Sequence, residues 1–214
     1  MKEKTIEFVL VRHGQTVWNR EQIFRGKTDI PLSEEGQAQA RATAEALRNT
    51  PLTAVLTSPL RRARQTAEAI AALHGISVEP DTRLSDISFG LWEGLGVEEV
   101  ARRYPELYGR WRAEPQTVVF PGGESLAEVR HRAEELLQEL AAERAGEVVC
   151  MVSHRVVNKL ILLSVLGLGN EHFWRIEQDT CCVNRFRLEG GRYIITVIND
   201  TCHLKPSGTR PPDF

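Results

Sequence analysis

Residues Phe8-Val9-Leu10-Val11 form an unbroken apolar run that stops at Arg12-His13-Gly14. A short run of this kind, without polar alternation, reads as a strand buried on both faces, and such strands belong to mostly parallel sheets covered by helices. The end of the run places a guanidinium and an imidazole at the strand's C-terminal tip, which is where open α/β sheets bind ligands. Gly14 is expected to let the chain turn sharply and approach a ligand closely. A solvated strand end carrying two polar residues by chance has the same local sequence, so the surrounding motifs must decide.

The alternation continues along the chain. Residues 54–57, 76–79 and 147–152 read as further strands, and 34–48, 59–73, 125–143 and 156–166 as helices. Ser33 is a natural N-cap followed by Glu34 and Glu35 in the first turn. Pro59 is expected at the first turn of the helix that Ser58 opens. Residues 97–112 read as one or two short helices, and 182–188 with 193–199 as a hairpin around Gly190-Gly191. The tail 205–214 reads as irregular. With no linker and no repeat, 1–214 is expected to be a single domain: a three-layer αβα fold with a mostly parallel sheet, and a small cap-like insertion at about 81–123 over the strand tips. Arg12-His13-Gly14 and Ser153-His154-Arg155 both end apolar strands, an arrangement that brings two distant histidines to one pocket.

Composition excludes several classes. The net charge is −2 with no block of like charge, so no nucleic-acid partner is indicated. No apolar run approaches the roughly 18–20 residues of a membrane span, and Met1-Lys2-Glu3-Lys4 is not the start of an apolar signal core. A cytoplasmic protein is expected. The four cysteines, Cys150, Cys181, Cys182 and Cys202, include no C-x-x-C. The adjacent pair Cys181-Cys182 reads as reduced packing thiols, with a regulatory disulfide as the alternative. The histidines show no His-x-His or His-Glu-x-x-His spacing, and Gly-x-x-x-x-Gly-Lys is absent, so no metal, no P-loop nucleotide hydrolysis and no cofactor is expected.

Arg12-His13-Gly14-Gln15-Thr16, Asn19, Gly26, Asp29-x-Pro31-Leu32-Ser33, Gly36-Gln37-Ala38, Ser58-x-x-x-Arg62-Ala63-x-x-Thr66-Ala67 and Ser153-His154 occur in one order over most of the chain, to about Asp200. This series resembles the histidine phosphatase superfamily, whose fold is phosphoglycerate-mutase-like. The resemblance implies that His13 is a nucleophile that forms a phosphohistidine, a role a neutral imidazole fills near pH 7. Arg12 and Arg62 would clamp phosphate with guanidinium forks. Asn19 would add a neutral donor or orient a neighbour, and His154 would stabilise charge on an equatorial oxygen. Asp86 stands where the family usually has Glu, and would protonate the leaving alkoxide and then deprotonate water; Glu93 is the alternative acid. Arg155 replaces the usual Gly. With Arg25 and Gly26 it completes the expected substrate-binding set, and Arg25 and Arg155 suggest a second anion on the substrate. Arg102, Arg103, Arg110 and Arg112 read as solvated helix faces. The expected activity is metal-independent hydrolysis of a small phosphorylated metabolite. A cofactor-dependent phosphoglycerate mutase and a non-catalytic phospho-ligand binding module are the alternatives. By resemblance alone, a homodimer is expected.

Overall fold

The computed structural model describes residues 5–204, so the expectations for residues 1–4 and for the tail 205–214 lie outside the described residues. Six strands form one sheet: β1 (Ile6–Arg12), β2 (Ala54–Thr57), β3 (Val78–Pro80), β4 (Val148–Ser153), β5 (Val183–Glu189) and β6 (Arg192–Asp200), in the order β3-β2-β4-β1-β5-β6. The pairs β1–β4, β4–β2 and β2–β3 are parallel, and β5 and β6 add antiparallel at one edge. The helices are α1 (Val17–Arg20), α2 (Glu34–Leu47), α3 (Arg61–His74), α4 (Val97–Arg103), α5 (Pro105–Ala113), α6 (Leu126–Glu143) and α7 (Arg155–Val165).

Strand periodicity sorts the core into two faces. From β1, Val9 and Val11 join Ala44 and Leu47 of α2 and Ala63, Ala67 and Ile70 of α3. Phe8 and Leu10 face the other way and join Leu136, Leu137 and Leu140 of α6 and Val157, Leu160 and Ile161 of α7. This is the expected three-layer αβα arrangement with β1 at its centre. Each fully buried side chain of this size contributes about 1.5–3 kcal/mol, which is why the tip of β1 is a rigid platform. Residues 81–123 are anchored by aromatic contacts: Phe24 against Trp92 at 5.1 Å between centroids, Phe89 against Phe120 at 4.9 Å, and Trp111 against Phe173 at 5.2 Å. Among the described residues no helix is long and apolar enough to cross a membrane.

Local differences from the sequence reading have physical causes. The segment 97–112 splits into α4 and α5 at Tyr104 (φ −131°, ψ 53°). The residue before a proline is pushed out of the helical region, and Pro105 then opens the next helix. Helix α3 begins at Arg61 rather than Pro59, and its first N–H is met from outside, by Asp29 Oδ1 at 2.7 Å. The one-turn helix α1 was not foreseen; it is held by a capping box between Thr16 and Asn19. Gly14 serves packing: a Cβ there would lie 2.5 Å from Gly36 O, and one on Gly36 would lie 2.0 Å from Gln15 O. The loop after β1 and the start of α2 thus press backbone against backbone. The contact is reinforced by Ser33, whose N–H donates to Gln15 O at 2.9 Å and whose hydroxyl accepts from Gly36 N–H at 3.1 Å.

Gly36→Ala should therefore lower stability by about 1–3 kcal/mol, the usual cost of overpacking, read as a lower urea midpoint with an unchanged slope. An unchanged midpoint would mean that the loop retreats freely from α2.

Candidate active site

The parallel register of β1 and β4 sets Arg12 opposite Ser153. The next residues on each strand are therefore neighbours at the tips: His13 N–H donates to Ser153 O at 3.0 Å, and the His13 and His154 rings lie 5.1 Å apart at 57°. Both rings are fully buried. His13 Nδ1 lies 2.7 Å from Gly14 O. A carbonyl only accepts, so Nδ1 carries the proton and Nε2 presents its lone pair. Burial, followed by the charges of Arg62, Arg12 and Arg25, pushes the His13 pKa well below the usual histidine value. His154 is pushed down in the same way, by burial first and then by Arg62, His13 and Arg25. Near neutral pH both imidazoles are uncharged.

The arginines come from four separate elements. Arg62, on the first turn of α3, is completely buried. Its Nη1 donates to Thr28 O at 2.9 Å, and its Nη2 donates to Gly26 O at 2.8 Å and to Asp86 Oδ2 at 3.1 Å. Its Nε is buried with no hydrogen-bond partner among the described residues. Arg12 ends β1, and its Nη1 donates to the carbonyl of Gln178. Gln178 is fixed in turn by a reciprocal amide pair with Asn184, at 2.8 and 2.9 Å, and Asn184 Nδ2 also donates to Leu10 O on β1. Arg25, in the loop before α2, and Arg155, first residue of α7, are also buried. Asp86 Oδ1 accepts from Ile87 N–H at 3.0 Å, and its Oδ2 lies 3.6 Å from His154 Nδ1. One carboxyl thus touches the Arg62 guanidinium and stands beside the second imidazole.

Of the residues singled out from sequence, Arg12, His13, Arg62, Asp86 and His154 meet in one buried cluster, with Arg25 close enough for its charge to act on both histidines. Asn19 is buried, and its Oδ1 accepts from Thr16 N–H at 2.9 Å, so it orders the turn after His13. Gly26 adopts φ +51°, and a Cβ there would strike the Glu93 carboxylate at 2.1 Å. That carboxylate accepts from Lys27 N–H, Thr28 Oγ1, Ser88 Oγ and Phe89 N–H. Glu93 therefore pins the Arg62-binding loop to residues 88–89, a structural role. Arg102, Arg103, Arg110 and Arg112 are exposed on α4 and α5. The cysteines are all free. The adjacent pair has a structural use: Cys181, at φ 55°, donates its N–H to Arg12 O at 3.1 Å, and Cys182 O accepts from Arg12 N–H at 3.3 Å. Burial pushes both thiols up to about 12. Taken together, a bare imidazole nitrogen, fixed guanidinium donors and one carboxyl are the parts required to transfer a phosphoryl group to nitrogen and release it again.

Comparison with known proteins agrees with this chemistry. A family model described as histidine phosphatase superfamily (branch 1) matches residues 8–201. The chain is 36% identical to "Phosphoserine phosphatase 1" of Hydrogenobacter thermophilus, over 93% of this chain and 94% of that one. It is 31% identical to a "Probable phosphoglycerate mutase GpmB" of Yersinia enterocolitica, over 93% and 95%. Among solved structures, a mycobacterial glucosyl-3-phosphoglycerate phosphatase in complex with VO3 superposes with a TM-score of 0.84 at 29% identity, covering 91% of this chain and 99% of that one.

One site residue escaped the sequence reading. Ser58, read there as a helix opener and a motif position with no site role, lies at the end of β2 with its Oγ 2.8 Å from His154 Nε2. The hydroxyl already accepts from Leu60 N–H at 3.3 Å. Among the described residues the acceptor within reach of its own proton is Nε2. His154 is then held with its proton on Nδ1, facing Asp86 and the interior of the site. Nitrogen-15 NMR of the histidine side chains should find His154 protonated at Nδ1 in the wild type, mixed tautomers in Ser58→Ala, and the wild-type pattern restored in Ser58→Thr. A wild-type proton on Nε2 would reverse the assignment.

Proposed function

The chain belongs to the histidine phosphatase superfamily, and from that premise we propose that it hydrolyses a small phosphomonoester without a metal, through a phosphohistidine on His13. One observation carries the reading: His13 is neutral, with Nδ1–H tied to Gly14 O and Nε2 bare within a group of buried arginines. In the first step Nε2 attacks phosphorus and the ester P–O bond breaks. Arg12, Arg62 and the Nδ1–H of His154 hold the phosphoryl oxygens, and the leaving alkoxide takes the Asp86 proton. In the second step Asp86 removes a proton from water, the water oxygen attacks phosphorus, and the P–N bond breaks to return His13 and inorganic phosphate. The arginines supply the charge neutralisation that metal ions provide elsewhere. Residues 81–123 act as a cap that carries Asp86 to the strand tips, within a single domain 1–214.

The relatives favour a phosphatase over a mutase. The two named as phosphatases carry in their names phosphoserine and glucosyl-3-phosphoglycerate, both of which join a carboxylate to a phosphate ester. The relative named as a probable mutase supports a second reading, in which the phosphoryl group returns to another hydroxyl of the substrate. Free buried thiols fit a reducing compartment, which supports a cytoplasmic setting. A homodimer rests on the family resemblance alone.

Turnover of p-nitrophenyl phosphate to inorganic phosphate, undiminished by EDTA, is the first expected result. Asp86→Asn keeps the shape of the side chain and removes its transferable proton. It should slow hydrolysis of an alkyl phosphate by about 10²–10⁴-fold, and that of p-nitrophenyl phosphate, whose leaving group needs little protonation, by much less. Equal losses on both substrates would remove Asp86 from the acid role and make Glu93→Gln the next variant.

A further inference from the structure

Asp86 stands on a stretch of chain, residues 86–89, that belongs to no helix or strand. Asp is also shorter than Glu by one carbon–carbon bond, about 1.5 Å, so the backbone must supply the reach that the side chain lacks. Buried backbone outside a helix or sheet needs hydrogen-bond partners from elsewhere, and here they come from α6 and β4. Arg132, on α6, donates from Nη1 to Arg83 O and from Nη2 to Asp86 O at 3.3 Å. Ser153 Oγ, at the tip of β4, donates to Leu84 O at 2.7 Å. One guanidinium thus spans two carbonyls three residues apart, and the second belongs to the acid's own peptide.

The guanidinium is itself fixed. Its Nε donates to Glu124 Oε1 at 3.3 Å. Glu124 Oε2 accepts from Ser88 N–H at 2.7 Å, and Glu124 N–H donates to Ser88 O at 2.9 Å. The same Oε2 meets Lys27 Nζ at 3.2 Å, on the loop whose Gly26 carbonyl holds Arg62. The Arg132 and Glu124 side chains are 16% and 20% exposed, so the pair is better shielded than an ordinary surface ion pair. Ala133, Leu136 and Leu137, on the same helix, are packed in the core. The backbone is therefore gripped before and after the carboxyl, while Oδ2 itself faces Arg62 and His154.

We infer that Arg132, locked by Glu124, is a positioning residue for the proton donor: it sets the place of the Asp86 carboxyl through the backbone of residues 83–88. This rests on the acid role given to Asp86 above and deepens it. A proton donor works within about 2.6–3.2 Å of the atom it serves. A displacement of about 1 Å is enough to cost about 10²-fold, and the cost falls on leaving groups that need the proton.

Phenyl phosphate and p-nitrophenyl phosphate form a matched pair of probes: the rings are alike, and phenolate is the stronger base and needs the proton more. The measurement is kcat/KM, which reports cleavage of the ester. Arg132→Met should lower it for phenyl phosphate by about 10- to 100-fold more than for p-nitrophenyl phosphate. Arg132→Lys keeps the charge but not the fork, and should fall between Arg132→Met and the wild type; it carries the same comparison if Arg132→Met does not fold. Added to Asp86→Asn, Arg132→Lys should slow phenyl phosphate no further, because the carboxyl that it places has already lost its proton. No change, equal losses on both esters, or losses that multiply in the double variant would overturn the inference and leave the acid role intact. Failure of Arg132→Lys to fold would overturn it too, by making the residue a structural one. If Asp86→Asn alone does not separate the two esters, it is the acid role that fails, and the positioning role falls with it.

Discussion

The parallel pairing of β1 with β4 is the constraint on which the site depends. Arg12 lies opposite Ser153, so His13 and His154, 141 positions apart in the chain, emerge side by side from one sheet. A one-residue slip would turn each side chain to the other face. The slip is forbidden by burial on both faces, where Val9 and Val11 fill one core and Phe8 and Leu10 the other. Hydrophobic packing therefore sets the distance between the two imidazoles.

The electrostatics follow from that placement. Two imidazoles are driven under the surface among arginines, and both causes act in the same direction, against protonation. The result is an uncharged His13 whose free nitrogen is selected by a carbonyl, and an uncharged His154 whose proton is selected by a serine. The supporting layer is equally specific. Gln178 and Asn184 hold the Arg12 guanidinium, the backbone of Cys181-Cys182 braces its strand, and the loop residues Gly26 and Thr28 hold Arg62. Preorganisation of this kind is what allows fixed charges to stabilise a transition state without reorganising during the reaction.

The parts of this that were legible in the sequence are those with local signatures. The apolar run ending in Arg12-His13, the Ser33 cap and the order of the motifs gave the αβα sheet and the cluster of Arg12, His13, Arg62, Asp86 and His154. What escaped depends on contacts between distant segments. Ser58 has no sequence neighbour that reveals its approach to His154, and Gln178 and Asn184 read as ordinary polar residues near a hairpin. Gly14 was legible as a glycine with a purpose, but its partner proved to be Gly36. The division of 97–112 at Tyr104-Pro105 was written in the proline, whereas the capping box of α1 lies in a helix too short for any periodicity to show.

The central claim is that His13 accepts the phosphoryl group on the nitrogen that Gly14 leaves bare. The most direct test is to quench the enzyme at alkaline pH during turnover of an alkyl phosphate and to map the modified residue, with its isomer, by mass spectrometry and phosphorus NMR. The account predicts an acid-labile phosphoryl group on Nε2 of His13. Phosphate found on Nδ1 of His13, on His154, or on no residue during steady turnover would contradict it.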